Sequence, residues 1–258
     1  MESATETVQG VRQHLLVGTY ALGSVLVTSD AGHVLIDAGL PESAPQIRDH
    51  IRELRFRVED IKLILNTHDH YDHAGGIAEL QRVSGARVAA SALSAEVLKT
   101  GTAEAGDPQY GLLASFEGVP SIEIVQDHQT LSVGPLRLTA YMTPGHTAGG
   151  TSWSWRSCEG ARCMNVVYAD SLSPVANDTF KYTASPLRET LEASFSTLDS
   201  LPCDILLTPH TGFSPILENL AAREAGKSDA FIDPEACMAY VAVMRANLEK
   251  RLTDERGR

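Results

Sequence analysis

The sequence lacks the long apolar stretches of a membrane protein and the basic excess of a nucleic-acid-binding protein. No uninterrupted apolar run approaches the roughly 18 residues that a transmembrane helix needs. Of 258 residues, 33 are acidic and 21 are lysine or arginine, which gives a net charge of −12. Because phosphate groups attract clustered lysine and arginine, we expect no nucleic acid and no membrane as partners.

The chain also lacks recognisable targeting and linker segments. Its first ten residues, MESATETVQG, contain no basic segment followed by an apolar one, so we expect no signal peptide in this chain. No linker rich in proline and serine divides it, and apolar residues make up 43%, enough for a substantial core. We therefore predict a single domain over residues 1–258, with two β-rich halves of which the second resembles the first.

Cysteine is scarce, with four in the chain: Cys158, Cys163, Cys203 and Cys237. Four cysteines permit two disulfides in three alternative pairings, or four reduced thiols. The segment SCEGARC places Cys158 and Cys163 across a short polar turn, which can bring their Cβ atoms together. Cys203 and Cys237 would then form the second pair. The spacing alone leaves the oxidised and reduced alternatives equally open.

Apolar, β-branched runs that end at glycine or aspartate predict strands in both halves. The segment DAGH at 30–33 predicts a hairpin, and later strands alternate with helical patterns, which indicates parallel strands covered by helices. One predicted helix is capped by Ser43, and the last begins at Asp233–Pro234. Its charged end at 249–258 is expected to fray. We expect Trp153 and Trp155, two apart in one strand, to pack in the core.

The densest group of possible metal ligands is THDHYDHAGG at 67–76. On an extended segment, residues two apart point to the same side, so His68 and His70 can reach one ion. Asp72 and His73 follow where the chain bends toward the next helix, and they can face a second ion. Imidazole with one carboxylate suits zinc, so the cluster predicts metal binding.

Two further histidines follow predicted strand ends, His146 in TPGHTAGG and His210 in LLTPHTG. Histidines at strand ends in open α/β sheets tend to face one crevice. We therefore predict two sites of three ligands each: His68, His70 and His146 in the first, and Asp72, His73 and His210 in the second. Three protein ligands leave a coordination position open, as is typical of catalytic zinc. The isolated histidines are expected to be ordinary surface or packed residues: His14, His33, His50 and His128.

The motifs THDHYDH, GHTAG and TPH resemble those of the metallo-β-lactamase superfamily, over a stretch from about Val17 to Cys237. The resemblance implies an α/β fold, an αββα sandwich of two β-sheets flanked by helices, with the metal site at one edge of the sheets. The finer similarity is to subclass B3, through HVLIDAGLPESAPQI, HYDHAGGIAELQ, TPGHTAGGTSW, YADSLS and LPCDILLTPH. That subclass pattern implies two zinc ions (Zn2+) on the two ligand groups predicted above.

The segment ADSLS at 169–173 distinguishes members of this superfamily. Glyoxalase II-like and lactonase-like relatives place a metal-bridging aspartate there, and subclass B1 enzymes place a cysteine ligand. The segment resembles subclass B3, in which a serine replaces the cysteine and the second zinc takes the histidine matching His210. The resemblance implies that Ser171 and Ser173 bind substrate, Ser173 through the β-lactam carboxylate. Asp170 remains an alternative metal ligand.

The resemblance also implies the disulfides Cys203–Cys237 and Cys158–Cys163, and hence an oxidising, periplasmic location. The motif's first aspartate, Asp69, is not expected to be a ligand.

The function that the resemblance implies is zinc-dependent hydrolysis of the β-lactam amide bond in penicillins, cephalosporins and carbapenems. A metal-bound hydroxide would be the nucleophile, with no acyl-enzyme, and Asp72 would orient it as the catalytic residue. Neither Ser171 nor Ser173 lies in a Ser-x-x-Lys motif, which disfavours a serine nucleophile. Another hydrolase of this fold, a glyoxalase II-like thioesterase or a lactonase, is the alternative, and an inactive metal-binding module is the non-enzymatic one. We expect a monomer whose partner is a small-molecule β-lactam.

Overall fold

The computed structural model describes residues 6–8 and 14–257, which form two mixed β-sheets packed face to face. The order of the first sheet is β1 (Glu6–Val8), β2 (His14–Leu16), β3 (Val25–Val27), β4 (His33–Ile36), β5 (Ile61–Leu65), β6 (Arg87–Ala90) and β7 (Glu123–Ile124). Strands β1 to β4 pair antiparallel, and β4 to β7 pair parallel. The predicted DAGH hairpin connects β3 to β4.

The second sheet is mostly antiparallel. Its order is β12 (Ile205–Leu207), β11 (Arg162–Tyr168), β10 (Thr151–Glu159), β9 (Leu136–Met142) and β8 (Thr130–Val133). Strand β12 joins β11 in parallel, whereas the other neighbours pair antiparallel. Both sheets therefore contain a parallel pair, and the ends of these strands supply most of the predicted metal ligands.

Helices surround the two sheets, most of them on the outer faces. They are α1 (Ser43–Glu53), α2 (Tyr71–Ala74), α3 (Ile77–Ser84), α4 (Ala92–Thr100), α5 (Leu187–Asp199), α6 (Ile216–Glu224) and α7 (Ala236–Arg256). Helices α1, α3 and α4 pack on the first sheet, and α5 and α7 pack on the second. The predicted αββα sandwich is thus confirmed. None of the helices in the described ranges is long and apolar enough to cross a membrane.

The main core lies between the sheets, because strand residues alternate between the two faces. In β3, Val25 and Val27 face the second sheet, whereas Leu26 packs under the helices of the first. The two tryptophans of β10, Trp153 and Trp155, are buried in this central layer, as predicted.

Both predicted disulfides are present, Cys158–Cys163 and Cys203–Cys237. The first joins directly opposite residues of the β10–β11 hairpin, with a sequence separation of 5. The second joins the segment before β12 to the first turn of α7, with a sequence separation of 34. Loop-closure entropy predicts that the disulfide of the longer loop stabilises the folded state by about 3–4 kcal/mol and that of the shorter loop by about 2 kcal/mol. The Cys203–Cys237 bridge is therefore the larger constraint on the unfolded chain.

Two local predictions were wrong. Ser43 is the first residue of α1 and not its N-cap; Glu42 holds that position, and the Ser43 hydroxyl accepts a hydrogen bond from the Leu40 N–H at 3.2 Å. The charged C-terminal end does not fray, since α7 continues to Arg256. It is held by Glu255, whose side chain is only 2% exposed and accepts hydrogen bonds from the segment before α5.

Replacement of Glu255 by glutamine is expected to lower the free energy of unfolding by about 1–3 kcal/mol. One carboxylate oxygen accepts from the Tyr182 N–H and Arg251 Nε, and the other from the N–H and hydroxyl of Thr183. Glutamine has a single acceptor oxygen, so its NH2 group would lie against two of these hydrogen-bond donors and leave them without an acceptor. Chemical denaturation measures the change.

The matched control is Glu192→Gln in α5. Glu192 forms an exposed i,i+4 ion pair with Arg188, of the kind worth about 0.5 kcal/mol. Equal losses from Glu255→Gln and Glu192→Gln would contradict the anchoring role of Glu255.

Candidate metal centre

The predicted ligands meet at one edge of the sandwich, where strands of both sheets end. His68 and His70 follow β5, and Asp72 and His73 lie in the short helix α2. His146 follows β9, and His210 follows β12. The first sheet therefore contributes four of these side chains and the second contributes two.

The loop after β5 is fixed by the buried carboxylate of Asp37, which follows β4. Asp37 Oδ1 accepts from the Thr67 N–H at 2.8 Å, and Oδ2 accepts from the Thr67 hydroxyl at 2.7 Å. The side-chain amide of Asn66 donates to Asp37 at 3.3 Å and to the His68 carbonyl at 2.7 Å. Burial raises the pKa of Asp37 to about 6, although neighbouring His73 and these hydrogen bonds oppose the rise. The backbone of Asp37 has φ = 58°, a costly conformation for a non-glycine residue.

The first ligand group consists of His68, His70 and His146, whose ligand atoms all lie within 4.8 Å of one another. Each ring has one nitrogen engaged with an acceptor outside the group. His68 Nδ1 donates to Asp170 Oδ1 at 2.7 Å, and His146 Nδ1 donates to the Ser173 carbonyl at 2.8 Å. His70 Nε2 donates to Asp107 Oδ2 at 3.0 Å. The other nitrogen of each ring is left as a lone-pair donor facing the group.

The electrostatics of the first group favour neutral imidazoles at His68 and His146. Burial lowers the pKa of His68 and of His146 well below the usual value, and the neighbouring histidines lower both further. His68 Nε2 is buried and has no hydrogen-bond partner among the described residues. A neutral imidazole with an unpaired nitrogen is the form that coordinates a metal ion.

The second group consists of Asp72, His73 and His210. His73 Nε2 lies 3.1 Å from His210 Nε2 and 3.3 Å from Asp72 Oδ2, and His210 Nε2 lies 3.6 Å from the same oxygen. Burial opposes charge on Asp72 and His73, but their mutual attraction prevails, lowering the pKa of Asp72 and raising that of His73. Burial, with the charge of His73, lowers the pKa of His210 to about 4.

The donor set of each group fits zinc. Three imidazole nitrogens in one group, and two with a carboxylate oxygen in the other, are combinations that zinc prefers, and each leaves a position open. The unpaired buried nitrogen of His68 lacks a partner that a metal ion would supply. The far-side nitrogens of His68 and His70 donate hydrogen bonds to Asp170 and Asp107, which matches the outer contacts of protein metal sites.

Asp170 belongs to neither group. Its Oδ1 is engaged by His68 Nδ1, and its backbone carbonyl accepts from the Tyr240 hydroxyl at 2.8 Å. Gly150 packs against it so closely that a Cβ at this position would lie 2.4 Å from Asp170 Oδ2 and 2.6 Å from the Thr143 carbonyl oxygen. The carboxylate therefore lies on the Nδ1 side of the His68 ring, away from the unpaired Nε2.

The other residues considered from the sequence lie outside the two groups. Asp69 accepts from the Ser94 hydroxyl at 2.8 Å, and burial raises its pKa to about 6. Ser173 lines the cavity in front of the groups, whereas Ser171 is buried and its hydroxyl has no partner among the described residues. Of the isolated histidines, none belongs to either group: His14, His33, His50 and His128.

A cavity of about 540 Å3 opens in front of the two groups. Its polar wall includes His70, Asp72, His146 and His210. Its outer wall includes four apolar or aromatic residues, several of them well exposed: Tyr20, Val175, Phe213 and Leu217. A cavity of this size, with convergent polar groups at its base, fits a small organic molecule.

Three residues that shape the site were not predicted from the sequence: Asp37, Asp107 and Gln109. Asp37 had a visible signal, because it is a charged residue at the end of the apolar run HVLI. The loop residues had none. Gln109 Nε2 lies 3.4 Å from both His70 Nδ1 and His146 Nε2, so its amide points between two ligand atoms.

Comparisons with known proteins agree with this geometry. The family model of the metallo-β-lactamase superfamily matches residues 24–210. The solved structure of Rm3 metallo-β-lactamase is 48% identical, with a TM-score of 0.94 and 99% of each chain covered. That of MEM-A1, a subclass B3 metallo-β-lactamase isolated from a soil metagenome library, is 44% identical with a TM-score of 0.92, covering 95% of this chain and 94% of that one.

Curated relatives match over shorter stretches. A hydroxyacylglutathione hydrolase of Maricaulis maris (strain MCS10) is 33% identical over 90 residues, or 34% of this chain and 27% of that protein. The probable polyketide biosynthesis zinc-dependent hydrolase PksB of Bacillus subtilis (strain 168) is 31% identical over 91 residues, or 35% of this chain and 33% of that protein. The chain thus spans about a third or less of these relatives.

The chain belongs to the metallo-β-lactamase superfamily. Within that superfamily, its full-length similarity is to subclass B3 metallo-β-lactamases, which confirms the resemblance found in the motifs.

Removal of one ligand is expected to reduce the zinc content by one ion, so His146→Ala should bind one zinc fewer than the unaltered protein. Zinc should also stabilise the metal-free protein by about 2.7 kcal/mol at a free concentration about 100 times Kd. Elemental analysis measures the content, and denaturation with and without zinc measures the stabilisation.

The control is His128→Ala, which removes an exposed histidine that belongs to neither group. If His128→Ala lost as much zinc as His146→Ala, the assignment of the first group would be wrong.

Proposed function

We propose that the protein is a zinc-dependent β-lactamase that hydrolyses the amide bond of β-lactam antibiotics, including carbapenems. Two zinc ions would be held by the two groups described above, one by His68, His70 and His146, the other by Asp72, His73 and His210. The proposal is supported by the full-length similarity to proteins named as metallo-β-lactamases.

One observation favours this activity over that of a glyoxalase II-like thioesterase or a lactonase. In those relatives the aspartate of the ADSLS segment bridges two metals. Here Asp170 Oδ1 accepts a hydrogen bond from His68 Nδ1, on the side of the ring away from its unpaired nitrogen. His210 completes the second group in its place, which is the pattern of subclass B3.

Zinc bound at these groups would supply Lewis acidity, lowering the pKa of water and polarising a carbonyl oxygen. The chain provides the remaining requirements. The carboxylate of Asp72, in the second group, would accept a hydrogen bond from the attacking nucleophile and so orient it. The neutral imidazoles of His68 and His146 hold no proton at Nε2, the atom that each would offer to the first zinc.

The walls of the cavity would orient the substrate. The hydroxyl of Ser173 lies 3.3 Å from His146 Nδ1, beside the first group, where it can donate to the β-lactam carboxylate. Apolar side chains at the outer wall, including Tyr20 and Phe213, would contact the substituents of the antibiotic and exclude water. We assign Ser171 to substrate binding as well, through its unpaired hydroxyl.

We further propose a periplasmic location, one domain over residues 1–258 and a monomeric state. Two disulfides support an oxidising compartment, because disulfides rarely persist in the cytosol. The core between the sheets combines side chains from both halves of the sequence, which supports a single domain.

The decisive assay is carbapenem hydrolysis by the purified protein, followed in the ultraviolet. We expect turnover with zinc present, its loss with a chelator, and its recovery when zinc is restored. A hydroxyacylglutathione thioester serves as the comparison substrate. A protein that binds two zinc ions and cleaves the thioester, yet opens neither a carbapenem nor a chromogenic cephalosporin, would refute the proposal.

Substitution of Ser173 by alanine is expected to lower kcat/KM for a penicillin about 10–100-fold, since a hydrogen bond to a charged group contributes about 1.5–3 kcal/mol. Steady-state kinetics measure it, and zinc content should not change. Ser171→Ala is the matched variant; if only Ser171→Ala lowered kcat/KM, the hydroxyl that binds substrate would be that of Ser171.

A further inference from the structure

Of the three rings in the first ligand group, His70 is held differently from the others. His68 and His146 each donate a hydrogen bond through Nδ1, which leaves Nε2 for the metal. His70 instead donates a hydrogen bond through Nε2 to Asp107, so Nδ1 is the atom that would bind the metal. Its acceptor also comes from the long loop between α4 and β7, whereas the other two acceptors follow strand β11.

The identity of the protonated nitrogen decides whether His70 can bind a metal in this position. A neutral imidazole carries its proton on one nitrogen only, and the hydrogen bond of one nitrogen sets the state of the other. The carboxylate oxygen of Asp107, 3.0 Å from Nε2, accepts a hydrogen bond from the Nε2–H group, which leaves Nδ1 with a lone pair. The side-chain amide nitrogen of Gln109 lies 3.4 Å from Nδ1. An amide N–H group can only donate a hydrogen bond, so this contact needs a lone pair on Nδ1 and is consistent with the same tautomer.

Both oxygens of Asp107 are engaged. Oδ1 accepts from the Gln109 N–H at 2.7 Å, and Oδ2 accepts from His70. The side chain is 7% exposed, so water does not readily replace either contact. Asparagine has one acceptor oxygen and could satisfy only one of these donors.

The loop that carries Asp107 is held at several points. The Asn177 N–H donates to the Pro108 carbonyl at 2.8 Å, and the Asn177 side-chain amide donates to the Tyr110 carbonyl at 2.8 Å. Arg251 of α7 in turn donates to the Phe180 carbonyl at 3.0 Å and, more weakly, to that of Asn177 at 3.4 Å. The position of Asp107 is thus fixed by the second half of the chain.

The geometry assigns to Asp107 the role of a positioning residue that holds His70 in its Nε2-protonated tautomer, with Nδ1 directed at the first metal. Asp107 acts through His70 and touches neither metal nor substrate. This role rests on the proposed zinc site. Asp107 would be an outer contact of that site and would determine that His70 binds the metal through Nδ1.

Asp107→Asn is expected to weaken zinc binding at the first group about 10–100-fold, the usual cost of losing an outer contact to a metal-binding histidine. Binding at the second group should stay within about threefold, because none of its members contacts Asp107. Competition with a chromophoric zinc chelator resolves the two dissociation constants. Glu104→Gln is the matched control: it removes one negative charge from an exposed position in the same loop and should leave both constants unchanged.

The tautomer itself is measured in the metal-free protein by two-bond 1H–15N correlation spectra of the histidine rings. We expect His70 to be Nε2-protonated in the unaltered protein, and a mixture of tautomers in Asp107→Asn and in Asp107→Ala. A merely structural role of Asp107 would not change this signature selectively at His70.

The outcomes separate the inference from the proposed function. If the unaltered protein binds two zinc ions and Asp107→Asn binds both equally well, with His70 still Nε2-protonated, only the inference is overturned. It is also overturned if Asp107→Asn weakens both groups equally and destabilises the metal-free protein. If the unaltered protein binds no zinc, the proposed function fails and the role of Asp107 in metal binding fails with it.

Discussion

The hydrogen bonds around the buried carboxylate of Asp37 are the constraint on which the metal centre depends. They fix Asn66 and Thr67, and the next residue is the first histidine of the motif. The second sheet holds the same two residues from its own side. The Trp153 indole donates to the Asn66 carbonyl at 3.1 Å, and the Thr151 N–H donates to the Thr67 carbonyl at 2.8 Å. The loop therefore lies at the seam of the sandwich and is held by both layers.

This placement links metal binding to the packing of the two sheets. Each ligand group combines side chains from the first sheet with one histidine from the second, either His146 or His210. A bound ion would connect the layers across their seam, so binding energy is also folding energy. The site includes a buried imidazole nitrogen with no hydrogen-bond partner among the described residues, and a non-glycine residue at positive φ. Such local costs are typical of functional sites, where the rest of the fold compensates for them.

The parts of the site that the sequence could predict are those with local geometry. His68 and His70 share a side because they are two apart on an extended segment, and His146 and His210 follow strand ends. Asp107 was not predictable in this way, because it lies 37 residues from His70 in a loop without periodicity. The fraying of the C-terminal end was predicted from its charge, but Glu255 accepts hydrogen bonds from backbone N–H groups 72 and 73 residues away. Local sequence propensity cannot predict such partners, because only tertiary packing brings them together.

The position of helix α7 in the sequence has a consequence for shortened chains. Residues 236–256 follow all six ligands, so a chain that ended before α7 would keep every ligand. Yet α7 carries Cys237, bonded to the segment before β12, and Arg251, which supports the segment contacting the Asp107 loop. Such a chain would lose the contacts that support the surroundings of the ligands. The centre therefore depends on a helix that contributes no ligand to either group.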